Sequence, residues 1–280
     1  MPGILYVVAT PIGNLGDASE RCVQALRDVT VIACEDTRVT RTLLGRFGIS
    51  TPTLALHEHN EREASAGLLE RLRAGESVAL VSDAGTPALS DPGGHLVAQA
   101  HAAGIRVSPV AGPSAVAAAI SVAGFVSAQF LFAGFLPVSG AARRKALAAL
   151  ETTVPVVLYE APHRIRRTLE DLGERLGPER EVVLGRELTK KFEEVVRLKL
   201  GEAAAWLDAD AHREQGEYVM VLAPGEERVR DAALAAEEVL ALLLESLPAS
   251  EAARLAAKIT GAPKNALYRK ALEKPKPRAK

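Results

Sequence analysis

The sequence has few cysteines and few aromatic residues, and it lacks the common nucleotide-binding loops. Only Cys22 and Cys34 occur among its 280 residues, without CxxC spacing, which argues against a disulfide framework and is typical of a reducing cytosol. No GxGxxG follows the first apolar run and no GxxxxGK[ST] occurs, so neither standard phosphate-binding loop is expected. Because no basic segment precedes the first apolar run, a signal peptide is not expected either. These absences predict a cytoplasmic protein.

Charge is also missing from one long stretch, which has no charged residue between Arg106 and Arg143. A membrane-spanning helix needs roughly 20 continuous apolar residues. Here Pro109, Pro113 and Pro137 interrupt the run. We therefore predict that the stretch is buried core and that the chain has no membrane span.

Short β-branched runs alternate with helical segments in the first part of the chain, which predicts an α/β fold with a mainly parallel sheet covered on both faces. A first domain is expected at residues 1–112. Its strands are predicted at Ile4–Ala9, Val29–Cys34, Thr53–His57, Val78–Ser82 and Ile105–Val110.

A second α/β domain is predicted at residues 113–228. It opens with Ser114, a residue type that caps helices, before the alanine-rich helix Ala115–Val122. Its later strands are closely spaced, so antiparallel pairing is expected there. These strands are predicted at Phe130–Ala133, Val154–Glu160, Glu181–Gly185, Val195–Leu200 and Tyr218–Ala223.

Residues 229–280 are expected to be helical only. The segments 249–259 and 264–272 flank Gly261-Ala262-Pro263, in the outline of a helix-turn-helix. A plain helical hairpin is the alternative that spacing favours. Residues 264–280 have a local charge of +6, which leaves −7 on the rest of the chain. Such a basic tail could bind phosphates or could be an ordinary solvated end.

Polar or Gly/Pro motifs follow each of the first five predicted strands. Because ligands bind beyond the carboxyl ends of the strands in open α/β sheets, these motifs predict one shared cleft. Gly85 and Gly112 could let the backbone approach a ligand closely, or they could be ordinary turn glycines. The motifs are TPIGN from Thr10, EDTR from Glu35, HEHNE from His57, SDAGTP from Ser82 and AGPSA from Ala111.

In their longer forms ATPIGNLGD, CEDTR, HEHNE, SDAGTPALSDPG and AGPSA, these motifs occur in order with GFLP, YEAPHR and GRELTKKFEEV across residues 9–195. In that order they resemble the tetrapyrrole-methylase superfamily of S-adenosylmethionine-dependent methyltransferases. The resemblance implies two α/β domains with the cofactor cleft between them. It is strongest to the branch that methylates the 2′-hydroxyl of a cytidine in 16S rRNA of the small ribosomal subunit, which also has a helical carboxyl-terminal extension. Superfamily members usually form homodimers, and a homodimer is therefore expected.

The resemblance also assigns cofactor contacts by motif. Thr86 is a departure, because tetrapyrrole methylases have an aspartate there; Asp83 could supply that carboxylate instead. The departure favours a different substrate class. The implied cofactor-binding residues are Pro11, Asp83, Ala84, Gly85, Thr86, Leu89, Ser114, Ala115, Glu160 and Ala161.

Methyl transfer to a ribose hydroxyl needs an aligned nucleophile and a group that accepts its proton. Glu35, Asp36, His57 and Glu61 are candidate bases at the strand ends, with Asp36 the preferred one. Arg38 could orient that carboxylate or hold a phosphate, although an Asp–Arg pair could equally shape the loop. The two histidines of HEHNE could suggest a metal, but transfer from a sulfonium needs none, and no metal site is expected.

Basic clusters in the second domain suit contacts with RNA phosphates, although they could also be solvated helix faces. Aromatic residues make up only 4% of the sequence, so recognition of the shape of a folded particle is expected rather than base stacking. Two alternatives stay open, a methyltransferase acting on a tetrapyrrole and a non-catalytic RNA-binding assembly factor. The clusters are Arg143-Arg144-Lys145, His163-Arg164, Arg166-Arg167 and Lys190-Lys191.

Overall fold

The computed structural model describes residues 2–225 and 232–273, and side chains of residues 232–235 and 273 are left out of the description. The chain divides into two compact units, Met1–Pro224 and Gly225–Lys280. The first unit contains two five-stranded sheets, and the described part of the second is helical.

The first sheet is entirely parallel and is covered on both faces. Residues in β2 alternate, so that Val31 and Ala33 face one apolar cluster while Ile32 and Cys34 face another. Helices α1 and α2 pack on the second of these faces, and α3 and α4 pack on the first. The strands, in the order β3-β2-β4-β1-β5, are β1 (Ile4–Val8), β2 (Val31–Cys34), β3 (Thr53–Ala55), β4 (Val78–Leu80) and β5 (Arg106–Val110), and the helices are α1 (Glu20–Asp28), α2 (Thr37–Arg46), α3 (Glu61–Arg73) and α4 (Gly94–Ala102).

The second sheet is mixed. Strand β6 runs parallel to β7, whereas β10 is antiparallel to both β7 and β8, and β8 is antiparallel to β9. Helix α5 covers one face, and α6, α7 and α8 cover the other. The elements are α5 (Ala115–Ala123), β6 (Leu131–Phe135), α6 (Gly140–Ala149), β7 (Val156–Glu160), α7 (Ile165–Leu176), β8 (Glu181–Arg186), β9 (Glu194–Lys199), α8 (Ala203–Asp208) and β10 (Tyr218–Leu222), with the strand order β6-β7-β10-β8-β9.

These elements confirm the predicted α/β fold. All ten predicted strands are present, and the antiparallel pairing expected late in the second sheet is found. Ser114 precedes α5, and its Oγ accepts a hydrogen bond from the backbone N–H of Ala117 at 3.4 Å, as predicted for a cap.

The prediction that the whole uncharged stretch is buried core was wrong. Val122 and Val126 are 54% and 102% exposed, and Phe130 and Leu131 are 47% and 38% exposed. Hydropathy alone does not distinguish an apolar surface patch from a core. We refer to these four residues as the apolar patch. Within the described residues, no helix has both the length and the apolar character needed to cross a membrane.

The second unit contains α9 (Ala232–Leu244), α10 (Ala249–Thr260) and α11 (Lys264–Glu273). Its core is rich in alanine, with Ala236, Ala252 and Ala256 fully buried, so the helix backbones can approach one another closely. Gly261, at φ +76°, ends α10 in the left-handed conformation. The predicted tail beyond residue 273 lies outside the described residues.

Candidate active site

A cavity of about 350 Å³ lies in the first unit, between the ends of the two sheets. Its walls come from the loops after β1 and β4, the start of α5, the end of β7, the loop between β8 and β9, and the start of β10. This volume falls in the range of small-ligand sites. Eight of the ten residues implied as cofactor contacts line it, namely Ala84, Gly85, Thr86, Leu89, Ser114, Ala115, Glu160 and Ala161.

Gly85 joins the loop after β4 to the loop after β1, and these two loops form the part of the wall that we call the cavity floor. Its N–H donates to the Thr10 carbonyl at 3.1 Å, and its carbonyl accepts from the Thr10 N–H at 2.8 Å. Its φ is +79°, and a Cβ there would lie 3.2 Å from Cγ2 of Ile12. The backbone conformation and the nearby Ile12 side chain therefore both favour glycine.

The side-chain oxygens of Thr86 and Glu160 both form hydrogen bonds within the protein. The Thr86 hydroxyl donates to the Pro113 carbonyl at 3.1 Å. The side chain of Glu160 is completely buried. It accepts from the Thr168 hydroxyl at 2.6 Å and pairs with Nε of Arg164 at 3.0 Å. Both residues shape the cavity wall through these bonds.

Pro11 and Asp83 are implied as cofactor contacts but are absent from the residues that line the cavity. Pro11 is buried, three residues after the end of β1. A carboxylate oxygen of Asp83 accepts a hydrogen bond from the backbone N–H of Asp36 at 3.0 Å, so Asp83 joins the loop after β4 to the loop after β2. Their roles as cofactor ligands stay predictions.

The predicted catalytic residues Glu35, Asp36 and Arg38 are also absent from the lining. Asp36 caps α2 by accepting from the backbone N–H of Arg38 at 2.7 Å, and it pairs with Nη2 of Arg38 at 2.6 Å. Hydrogen bonds from the Arg38 side chain and backbone lower the pKa of Asp36 to about 2. Such a carboxylate accepts protons weakly. The choice of Asp36 as base stays a prediction.

The other candidate bases lie in differing environments. Burial raises the pKa of Glu35, and the negative charge of Asp83 adds to the increase. A carboxylate oxygen of Glu61 accepts from the backbone N–H groups of Gly93 and His95 at 2.8 and 3.0 Å, which fixes the start of α4. His57 Nδ1 is buried and has no hydrogen-bond partner in the described part of the chain.

Unusual backbone conformations mark two loops at the cavity. Among the described residues, four non-glycine residues have positive φ, namely Ala88, Ser90, Glu187 and Thr189. The first two belong to the loop after β4, which we call the β4 turn (residues 88–91), and the others to the loop after β8. Both loops contribute to the lining through Ser90, Asp91, Leu188 and Lys190. Such strain is concentrated at functional sites. The four positive-φ residues lie within SDAGTPALSDPG and GRELTKKFEEV, but none of them was predicted as a site residue.

Several of the basic residues predicted to contact RNA form ion pairs with carboxylates of the same chain. The buried Arg143 binds Asp171 at 2.6 Å, and Arg164 binds Glu160. The remaining two, Arg166 and Lys190, each contact two carboxylates. These ion pairs compete with phosphate contacts, and the contact of these four residues with RNA stays a prediction. Four neighbours are exposed and have no ion pair among the described residues, namely Arg144, Lys145, Arg167 and Lys191.

Comparison with known proteins identifies the class of this protein as a methyltransferase. The family model of tetrapyrrole (corrin/porphyrin) methylases matches residues 4–204, and the chain belongs to this family. Among solved structures, the Thermus thermophilus uroporphyrin-III C-methyltransferase complexed with S-adenyl homocysteine has a TM-score of 0.56 at 19% identity, covering 82% of this chain and 99% of that one. The cobalt precorrin-4 methyltransferase CbiF has a TM-score of 0.58 at 16% identity, covering 79% and 94%.

Sequence relatives narrow the similarity further. A model described as the RsmI C-terminal HTH domain matches residues 230–274. Ribosomal RNA small subunit methyltransferase I of Pseudomonas aeruginosa is 50% identical, covering 97% of this chain and 98% of its own length. The protein of the same name from Escherichia coli O157:H7 is 47% identical, covering 97% and 95%. The resemblance to the tetrapyrrole methylases seen in the sequence is confirmed.

Proposed function

We propose that this protein transfers a methyl group from S-adenosylmethionine to the 2′-hydroxyl of a cytidine ribose in 16S rRNA of the small ribosomal subunit. The main support is that relatives named as small subunit rRNA methyltransferases match nearly the full chain at 47–50% identity. The tetrapyrrole-methylating structures cover only about four fifths of this chain. In addition, the helical unit of this chain matches a domain model named for the rRNA enzymes. Both observations disfavour a tetrapyrrole substrate. An rRNA substrate places the activity in the cytoplasm.

The cavity is suited to S-adenosylmethionine, which supplies an electrophilic methyl group on a sulfonium. The backbone of Ala84 and Gly85 is open to a ligand because Gly85 has no Cβ. Leu89 and Ala161 offer apolar walls, and Ser114 and Ala115 lie at the start of α5. We propose that these residues, with Thr86 and Glu160 behind them and Pro11 and Asp83 nearby, hold the cofactor. The chain's remaining tasks are to align the ribose hydroxyl and to accept its proton, and alignment alone can contribute several kcal/mol.

The direct test is transfer of labelled methyl from S-adenosylmethionine in three parallel reactions. The acceptors are small ribosomal subunits, naked 16S rRNA and a tetrapyrrole precursor, and nuclease mapping identifies any labelled nucleotide. We expect label on a cytidine ribose, with the particle preferred over naked RNA. Label on the tetrapyrrole alone would overturn the proposed substrate. Bound cofactor without label on any acceptor would support a non-catalytic factor.

We propose that the second unit contributes to RNA binding, because the matching model is of a helix-turn-helix domain and Lys264 and Arg269 are exposed on α11. A chain truncated after Pro224 is expected to keep its cofactor affinity and to bind small ribosomal subunits more weakly. Calorimetry with S-adenosylhomocysteine and sedimentation with the particles measure the two properties separately. Unchanged particle binding would refute this role.

The homodimer expected from the family has physical support in the apolar patch, because exposed apolar side chains that lie close in the sequence can mark an interaction site. We propose that the patch lies in a dimer interface. Sedimentation equilibrium is expected to give twice the chain mass. Val126→Glu, at the most exposed position of the patch, should shift the protein towards monomer, whereas Val138→Glu, exposed outside it, should not. A monomeric wild-type chain would contradict the proposal.

A further inference from the structure

Three carboxylates line the cavity, those of Asp91, Glu160 and Glu217. Glu160 is buried and bonded to Thr168, Arg164 and the N–H of Ala161. Glu217 pairs with Nζ of Lys190 at 2.7 Å. In the part of the chain that the structure describes, Asp91 takes part in no ion pair, which leaves it as the lining carboxylate whose oxygens are not committed to a cation.

The β4 turn fixes the position of Asp91. Ala88 and Ser90 have φ of +63° and +68°, a left-handed conformation that is unfavourable for non-glycine residues. The turn also fits closely against the second sheet, because a Cβ on Gly134 would lie only 2.8 Å from Oγ of Ser90. Asp91 is thus held where the loops of both sheets meet. The Tyr159 ring, on β7, lies close enough for the charge of Asp91 to raise its pKa, in addition to the larger effect of burial.

We propose that Asp91 is the catalytic base, accepting the proton of the ribose 2′-hydroxyl during methyl transfer. This inference rests on the proposed function. As the hydroxyl oxygen forms its bond to the methyl carbon, the carbon–sulfur bond breaks and its electron pair stays on sulfur, giving S-adenosylhomocysteine. The hydroxyl proton passes to a carboxylate oxygen of Asp91. Charge and atoms balance without a further reactant.

The surroundings of Asp91 make it a better proton acceptor than Asp36. Burial raises the pKa of Asp91, the Ser82 hydroxyl opposes that increase, and the negative charge of Asp83 adds to it. The negative charge of Asp91 in turn contributes to the raised pKa of Glu35, on which burial has the larger effect. A base works best when its pKa approaches the working pH. The pKa of Asp36 is instead lowered to about 2, away from that condition.

The test compares Asp91→Asn with Asp36→Asn, and uses Asp28→Asn as a matched control at an exposed aspartate outside the cavity lining. Single-turnover methylation of small ribosomal subunits is followed at saturating S-adenosylmethionine across a pH series. We expect Asp91→Asn to be slower by about 10²–10⁴-fold and to lose the rise of rate with pH. Asp36→Asn should keep that rise and lose less rate. Asp91→Glu should regain part of the rate together with the rise.

Calorimetry with S-adenosylhomocysteine and thermal unfolding accompany each variant. We expect Asp91→Asn to fold and to retain cofactor affinity. If the wild type methylates the particle and Asp91→Asn does so at the same rate, Asp91 is not the base, and the proposed function still holds. Weak cofactor binding by Asp91→Asn with a full rate at saturation would make Asp91 a cofactor ligand. Loss of the pH dependence in Asp36→Asn alone assigns the base to Asp36. An inactive wild type overturns the proposed function itself, and the base with it.

Discussion

Gly85→Val is expected to leave the protein folded and to weaken S-adenosylmethionine binding by about 100-fold, which corresponds to roughly 2.7 kcal/mol. Valine is disfavoured at φ +79°, and its Cβ would begin 3.2 Å from the Ile12 side chain. Both backbone groups of Gly85 are bonded to Thr10, so the strain can be relieved only by moving the loops that form the cavity floor. Calorimetry of cofactor binding measures the effect, and circular dichroism monitors folding.

Gly48 provides the matched control for this substitution. It also has a positive φ, +62°, but a Cβ there would meet nothing within 4 Å, and it does not line the cavity. Gly48→Val should lose stability from backbone strain and bind the cofactor normally. Equal cofactor affinities in the two variants would show that the cavity floor tolerates a side chain at position 85.

Thr168→Val is expected to lower the free energy of unfolding by about 2–5 kcal/mol, although the two side chains have nearly the same shape. The Thr168 hydroxyl is completely buried. It donates to Oε2 of Glu160 at 2.6 Å and accepts from Nη2 of Arg143 at 3.0 Å. Hydrogen bonds to charged groups contribute about 1.5–3 kcal/mol each. The substitution removes two of them, although Glu160 keeps Arg164 and Arg143 keeps Asp171. Denaturant unfolding monitored by circular dichroism measures the loss.

Two further variants separate the hydroxyl from the rest of the side chain. Thr168→Ser keeps both hydrogen bonds and should lose only about 1 kcal/mol for the missing methyl group. The valine substitution at the exposed Thr30 should change stability by less than about 0.5 kcal/mol. If Thr168→Val were as stable as Thr168→Ser, the Glu160–Thr168–Arg143 network would not contribute as proposed.

The strands were predictable because β-branched runs bounded by Gly and Pro are a local property of the sequence. The cavity followed in part from the rule that ligands bind at strand ends. The loops after β1, β4 and β5 contribute to it, but the EDTR and HEHNE motifs, which were predicted to share the same cleft, do not line it. The rest required the tertiary structure. Arg143 and Arg144 are neighbours in one basic run, yet Arg143 is buried against Asp171 and Arg144 is exposed, and no local pattern encodes a partner 28 residues away.

The environments of the carboxylates could not be predicted from the sequence either. Asp36 stood out in the sequence because Arg38 follows it closely, but that same proximity lets the two pair and keeps the pKa of Asp36 low. Asp91 lies within the motif SDAGTPALSDPG, but no charged residue close to it in the sequence marked it as a candidate base. Its importance comes from burial, from the left-handed turn before it and from the second sheet facing it, and all three are products of folding.

Because both cysteines belong to the first sheet and its helices, their reaction with a thiol reagent can monitor the opening of that part of the molecule. Cys22 on α1 and Cys34 on β2 are 2% and 0% exposed, in one cluster of the first sheet. Burial also raises the pKa of both thiols, so neither is readily alkylated in the native state. The second sheet and the helical unit contain no cysteine. The rate of thiol labelling of the unmodified chain thus measures how often the first sheet opens, and is insensitive to opening of the rest. If an added ligand slows the labelling, the ligand stabilises that sheet, and no engineered probe is needed to detect this.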